Sequence, residues 1–238
     1  MRLRFPSAAI GGLVLGALTA AILIGFLSAP PQGDAWRSLF DGKTLAGWRA
    51  YQSRTAPEGW RASGGELRKD GSAVDLISEE EFGDFELELE WKIAKGGNSG
   101  LFYRGTEEYN HVYYSAPEYQ ILDDAEARDA KDRLTSAGAA YALYAPPAGV
   151  VKAAGEWNTA RILCRGSHVE HWLNGQKIVE YELWSADWEA KVQASKFAKY
   201  RNFGRAKRGH IAFQGDHDGA FSLRNIRIRS LGSERKGK

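Results

Sequence analysis

The sequence predicts an all-β protein, an antiparallel β-sandwich of many short strands with one short helical insert. Three observations carry that expectation. Phe85, Leu87, Leu89, Trp91 and Ile93 alternate with Glu86, Glu88, Glu90 and Lys92, a period of two that gives one face to a core and the other to water. Asn174-Gly175 stands between His171-Trp172-Leu173 and Lys177-Ile178-Val179, the strongest short hairpin signal a sequence offers. Eight Trp, ten Tyr and ten Phe accompany 27 Gly and a single Met, a composition suited to aromatic strands and tight turns.

Taken in order, the chain opens with Arg2 and Arg4, then an uncharged run from Phe5 to Gly33. As a helix, residues 8–27 span roughly 30 Å, the thickness of a bilayer core. Basic residues before an apolar run leave the amino end in the cytoplasm and send the rest outward. The expectation is therefore a hydrophobic helix at 1–29, acting as signal peptide or membrane anchor, with an extracytoplasmic body, periplasmic or secreted. Leu27-Ser28-Ala29 is a poor cleavage site and Gly33-Asp34-Ala35 a later one. No Cys follows the run to carry a lipid. Residues 30–35 read as a linker, 36–231 as the folded body and 232–238 as a basic tail.

Within the body, Asp41-Gly42-Lys43 marks a turn. Gly64-Gly65 separates Trp60-Arg61-Ala62 from Glu66-Leu67-Arg68 as a short hairpin. Further strands are expected at 99–104, 118–122, 158–165, 169–173, 210–214 and 221–229. Residues 185–199 read as the helical exception, with Ser185 as cap, Asp187 and Glu189 in the first turn, and Lys196 and Lys199 late. Short strands separated by turns indicate a sandwich.

Charge and motif content remove several function classes. Lys and Arg number 32 against 30 Asp and Glu; setting aside Arg2 and Arg4 leaves the body neutral, which argues against nucleic acid as a partner. The lone Cys164 excludes an intramolecular disulfide framework, a zinc ribbon and a Cys-x-x-Cys redox site. No His-x-x-x-His pair and no Gly-x-Ser-x-Gly elbow is present.

Strand parity then sorts the polar residues. If Leu101 and Tyr103 face the core, Asn98, Phe102 and Arg104 lie on the opposite side. Glu118 and Gln120 alternate with Tyr119 and Ile121, and Asp123-Asp124 follow at the strand end. A carboxylate, amides and a guanidinium on one sheet face suit a hydroxylated ligand; the same residues also suit a merely solvated face. Glu86, Glu88 and Glu90 superficially resemble the Glu-x-Asp-x-Glu carboxylates of sandwich-fold β-glucanases. Their middle residue is Glu, and the triplet reads as a solvated face. The parity of His171 matches Val169 and Leu173, the pattern of a half-buried structural histidine. His217 lies in the polar loop Gln214-Gly215-Asp216-His217-Asp218-Gly219, where it can be a base, a metal ligand or part of a turn.

A family resemblance runs through ordered segments. The stretch Ser38-Leu39-Phe40-Asp41-Gly42-Lys43-Thr44-Leu45-Ala46-Gly47-Trp48 resembles the opening of the 3-keto-disaccharide hydrolase family. Gly97-Asn98-Ser99-Gly100-Leu101-Phe102-Tyr103-Arg104 and Pro117-Glu118-Tyr119-Gln120-Ile121-Leu122-Asp123 follow in the family's order. So do Ala140-Tyr141-Ala142-Leu143-Tyr144, Gly155-Glu156-Trp157-Asn158, Ser195-Lys196-Phe197 and Gly209-His210-Ile211-Ala212-Phe213-Gln214. The resemblance covers about residues 36–231. One departure stands out: the family commonly has Leu-Gln-Asp-His-Gly where this chain carries an extra residue before His217.

The resemblance implies a concanavalin/laminin-G-like jelly-roll sandwich and a hydrolase or lyase acting on glycosides oxidised at carbon 3. A ketone there acidifies the hydrogen on carbon 2, and the resulting enolate can expel the aglycone from carbon 1. Such a site needs a base, a holder for the enolate oxygen and an acid for the leaving oxygen. On this reading His171 is the base, Arg104 holds the enolate and Glu118 is the acid, or else a ligand to a possible divalent metal with Asp123 and His217. Asn98, Gln120 and Tyr141 hold hydroxyls, with Asp123 and His217 also at the substrate. The competing reading is a non-catalytic, lectin-like carbohydrate-binding module with Phe102 and Trp172 as stacking platforms.

Overall fold

The computed structural model describes residues 35–55 and 57–232; the expected signal or anchor helix, nearly all of the linker and all but the first residue of the basic tail lie outside these. The described residues form two antiparallel sheets. Their strands are β1 (Arg37–Ser38), β2 (Trp48–Ala50), β3 (Arg61–Ser63), β4 (Glu66–Lys69), β5 (Leu76–Phe82), β6 (Phe85–Ile93) and β7 (Asn98–Gly105). There follow β8 (Glu118–Leu122), β9 (Asn158–Arg165), β10 (His168–Leu173), β11 (Gln176–Glu182), β12 (Gly209–Phe213) and β13 (Phe221–Ser230). The larger sheet runs β11-β10-β9-β6-β13-β4-β3, with β1 on β13; the smaller runs β2-β5-β12-β7-β8.

The core lies between them and follows from parity. Phe85, Leu87, Leu89, Trp91 and Ile93 are all buried, whereas Glu88 and Glu90 are only partly so. They meet Leu101, Tyr103, Tyr119, Ile121 and Phe213 from the smaller sheet. Burying each such side chain stabilises the fold by about 1.5–3 kcal/mol. Glu86, Glu88 and Glu90 face outward from the larger sheet, paired with Arg229 and Arg161, Arg227, and Arg224 respectively.

The helical insert divides in two. Helix α1 (Ala186–Ala194) starts where the Ser185 hydroxyl accepts from Trp188 N–H at 3.2 Å. It ends at Ser195, whose hydroxyl accepts from Phe197 N–H at 3.1 Å and starts a 3-10 turn, Lys196–Lys199. Stacked rings tie this insert to the sandwich: Tyr144 on Tyr181, Tyr181 on Trp188, Trp188 on Phe203 and Phe203 on Phe197, with interplanar angles of 9°, 9°, 4° and 6°. Gly204 closes the stack: its φ is +65°, and a Cβ there would lie 2.6 Å from Trp188, so only glycine fits.

Candidate active site

The outward face of the smaller sheet carries a pocket of about 330 Å³. Strands β7 and β8 build its floor. Their register sets Gly100 opposite Gln120 and Phe102 opposite Glu118. Because Gly100 has no side chain, the Glu118 carboxyl lies over its bare backbone; a Cβ at Gly100 would collide with Oε1 of Glu118. Asn98, Gln120 and Gln214 complete the floor, and Tyr141 and Asp129 rise from the long β8–β9 connection. Tyr113 and Tyr114 come from the β7–β8 connection; Lys196, Lys199 and Tyr200 come from the insert. Asp216 and His217 form the remaining rim.

Two acceptors on this floor have no partner among the described residues. Asn98 donates to Asp129 at 3.1 Å and Gln120 donates to the Thr135 carbonyl at 3.1 Å, while Asn98 Oδ1 and Gln120 Oε1 are buried and unpaired. Buried acceptors left bare are costly, and hydroxyl groups of a bound ligand would satisfy both.

Electrostatics set Glu118 apart. Burial pushes its carboxyl up to about 8, against the pull of Lys196 and with help from Asp75, Asp216 and Asp129. Asp75, also buried, is pushed up to about 6, although its Oδ1 accepts from Gly215 N–H at 2.9 Å. Burial takes the Tyr141 phenol up to about 12. The Lys196 ammonium lies 4.2 Å from the centre of the Tyr141 ring and pairs with no acid among the described residues. A protonated carboxyl beneath an ammonium, beside bare amide oxygens, can deliver a proton and hold a developing oxyanion.

Of the residues expected from sequence, Asn98, Glu118, Gln120, Tyr141 and His217 meet in the pocket. Three lie elsewhere. His171 is buried between the sheets, with Nε2 at 2.8 Å from the Tyr103 hydroxyl and Nδ1 at 3.0 Å from the Gly138 carbonyl. Nδ1 must donate to that carbonyl, so Nε2 accepts from Tyr103 and no lone pair is left for a substrate. Burial also pushes its pKa down to about 4. Arg104 sits in a bulge where β7 has one residue more than β12. Its φ of +54° interrupts the alternation. The guanidinium, only 2% exposed, donates to the carbonyls of Gly83 and Gly166 and to Asp84 at 2.9–3.0 Å.

Asp123 is a turn residue. Its carboxylate accepts from Gly96 N–H at 2.7 Å and Ala125 N–H at 3.2 Å, and it does not line the pocket with Glu118 and His217. Among the described residues, three metal-ligating groups converge within 4.8 Å only at His168, Glu170 and Glu180. Lys177 already pairs with both of those carboxylates. The stacking platforms are corrected too. Phe102 is fully buried against Ile77, Val112 and Ala212, and Trp172 belongs to the larger sheet.

Sequence reasoning missed Lys196, Asp129, Tyr113 and Tyr114 as site residues, because they arrive on loops and the insert, whose course periodicity does not specify. It missed Lys69 as well. This buried lysine donates to the carbonyls of Gly71, His217 and Gly219 at 3.0, 2.5 and 3.4 Å, which fixes the loop carrying His217. Burial holds its pKa below the ordinary value, with Asp216 and Asp218 opposing.

Comparison with known proteins follows the same lines. Residues 35–229 match the model of the 3-keto-alpha-glucoside-1,2-lyase-like domain. A 3-keto-disaccharide hydrolase of Bacteroides thetaiotaomicron is 35% identical over 237 residues, spanning 86% of this chain and 81% of that protein. A crystal structure of a candidate glycosyl hydrolase from Parabacteroides distasonis superposes with a TM-score of 0.77 at 29% identity, over 82% of this chain and 94% of that one. A second from the same organism gives 0.66 at 29%, over 83% and 100%. The chain belongs to the 3-keto-alpha-glucoside-1,2-lyase-like family.

Proposed function

We propose that this protein cleaves glycosides whose sugar ring carries a ketone at carbon 3, by removing the proton on carbon 2 and expelling the aglycone from carbon 1. The family and the named relative support a glycoside hydrolase type of activity. The observation that carries the finer reading is the Glu118 carboxyl, buried beside Lys196 in a pocket with two unpaired amide acceptors.

The steps balance with groups in that pocket. The His217 imidazole takes the proton from carbon 2, and the C–H electron pair becomes the C2–C3 double bond of an enolate. Lys196 holds the enolate oxygen, the role that Arg104, locked in its bulge, cannot fill. The enolate re-forms the ketone, the C1–C2 double bond forms, and the bond from carbon 1 to the aglycone oxygen breaks. Glu118, protonated near neutral pH, gives that oxygen its proton. Addition of water across C1–C2 completes hydrolysis. Asn98 and Gln120 accept from ring hydroxyls and orient the sugar. The apolar run after Arg2 and Arg4 supports an extracytoplasmic location for this work.

Deuterium at carbon 2 tests the route. The reading predicts slower aglycone release from the deuterated keto-glycoside, or washout of the label into water. Release at an unchanged rate with the label fully retained contradicts proton removal there.

A further inference from the structure

A second concavity, of about 750 Å³, lies on the outward face of the larger sheet, whereas the pocket belongs to the smaller one. Strand register builds it. Trp172 pairs with Arg161, Arg161 with Glu88, Glu88 with Arg227 and Arg227 with Ser38. One row of residues on the same face therefore crosses five strands, about 19 Å at the usual spacing between them. Trp172 closes one end, and Trp36, two residues before Ser38, closes the other. The short side chain of Thr159, which shares this outward face, lowers the floor between them.

The charges of this face are largely paired with one another, three glutamates against four arginines. Glu88 pairs with Arg227 and Glu90 with Arg224, while Glu86 takes Arg161 and Arg229. The guanidinium of Arg161 lies 4.5 Å from the Trp172 ring centre, and that of Arg227 lies 4.8 Å from Trp36. Such a surface offers little net charge to a phosphate or polyanion. Arg229 also lies 5.0 Å from Trp36, so each indole already carries a guanidinium against its ring, and what the surface offers is the remaining indole surface with fixed donors and acceptors between the two rings. The C–H faces of a sugar stack on indole, and its hydroxyls both donate to carboxylates and accept from guanidinium groups. We propose that this groove binds a neutral oligosaccharide chain, independently of the pocket. The proposal does not rest on the reaction assigned to the pocket.

Calorimetric titration of the full-length protein with maltohexaose, cellohexaose, xylohexaose and laminarihexaose, none of them oxidised, tests it. Binding of at least one is expected, weakened about fivefold to tenfold by Trp172→Ala and by Trp36→Ala and unchanged by Tyr141→Ala in the pocket. Trp172→Phe, which keeps a ring and guards against misfolding, should retain most of the affinity. Release of a small aglycone should be the same in Trp172→Ala as in the parent chain. Three results overturn the proposal: no binding of any hexasaccharide at millimolar concentration; binding that survives both tryptophan changes and falls with Tyr141→Ala; or self-association of the parent chain, in sedimentation, that Trp172→Ala abolishes.

Discussion

Glu118 lies over the bare backbone of Gly100 and is held near pKa 8 by burial, so the folded protein keeps it protonated where the unfolded chain would not. A raised carboxyl contributes stability that is present below the unfolded value, near 4.5, and is lost as pH rises through about 8. Glu118→Gln should therefore melt at a higher temperature than the parent, the gap widening from pH 4.5 to about 8 and then levelling. The same substitution removes the proton that the leaving oxygen needs, and turnover should fall by roughly 10²–10⁴-fold. A variant both more stable and nearly inactive is the mark of a functional residue. Equal melting curves at all pH values would show that Glu118 is not buried as described. His171 behaves in the opposite sense. With its pKa lowered to about 4, its contribution is present above 6.5 and lost as pH falls through about 4. His171→Ala should cost roughly 2–4 kcal/mol by opening a cavity and leaving the Tyr103 hydroxyl without its partner. Folded His171→Ala should still turn over substrate within a few-fold of the parent; a loss of a hundredfold or more would restore His171 to the mechanism.

At the scale of elements, the insert decides how the pocket is closed. Lys196 begins the 3-10 turn that Ser195 caps, and Phe197, stacked on Phe203 with ring centres 4.0 Å apart, pins that turn to the sandwich. Phe197→Leu keeps an apolar side chain there but loses the ring and its stack, at a cost on the order of 1–2 kcal/mol. It should raise KM several-fold; a fall in Tm with unchanged kinetics would mean that the insert is only a strut. Gly100→Ala tests the floor: it displaces the Glu118 carboxyl, and activity should drop while the melting temperature stays within a few degrees. What the sequence made legible follows from the physics of each element. Strands β6, β8 and β9 alternate cleanly or begin and end at turn residues, and their limits were readable. Strand β5 was not, because Ile77 and Glu81 flank two extra residues relative to β12 and its buried residues lose the period of two. The same effect misplaced Arg104, whose parity was right for a regular strand but not for a bulge. Asn98, Glu118 and Gln120 were legible as one face because β7 is regular there. Lys196 and Asp129 were not, because only the folded course of the insert and of the β8–β9 connection brings them over that face.

At the scale of the whole molecule, the two proposals assign chemistry to one outward sheet face and recognition to the other. The smaller sheet carries a small pocket with a buried carboxyl whose pKa is raised and an ammonium that pairs with no acid among the described residues; the larger carries a groove of mostly paired charges between two indoles. The central claim is that the ketone supplies the acidity the pocket exploits. Its most direct measurement offers the full-length protein a 3-keto-glucoside and its unoxidised parent, side by side, with and without a chelator, and follows aglycone release. The account predicts cleavage of the keto form alone, at a rate that Lys196→Met lowers by about 10²–10³-fold. Comparable cleavage of the unoxidised parent, or binding of the keto form without any release, would contradict it.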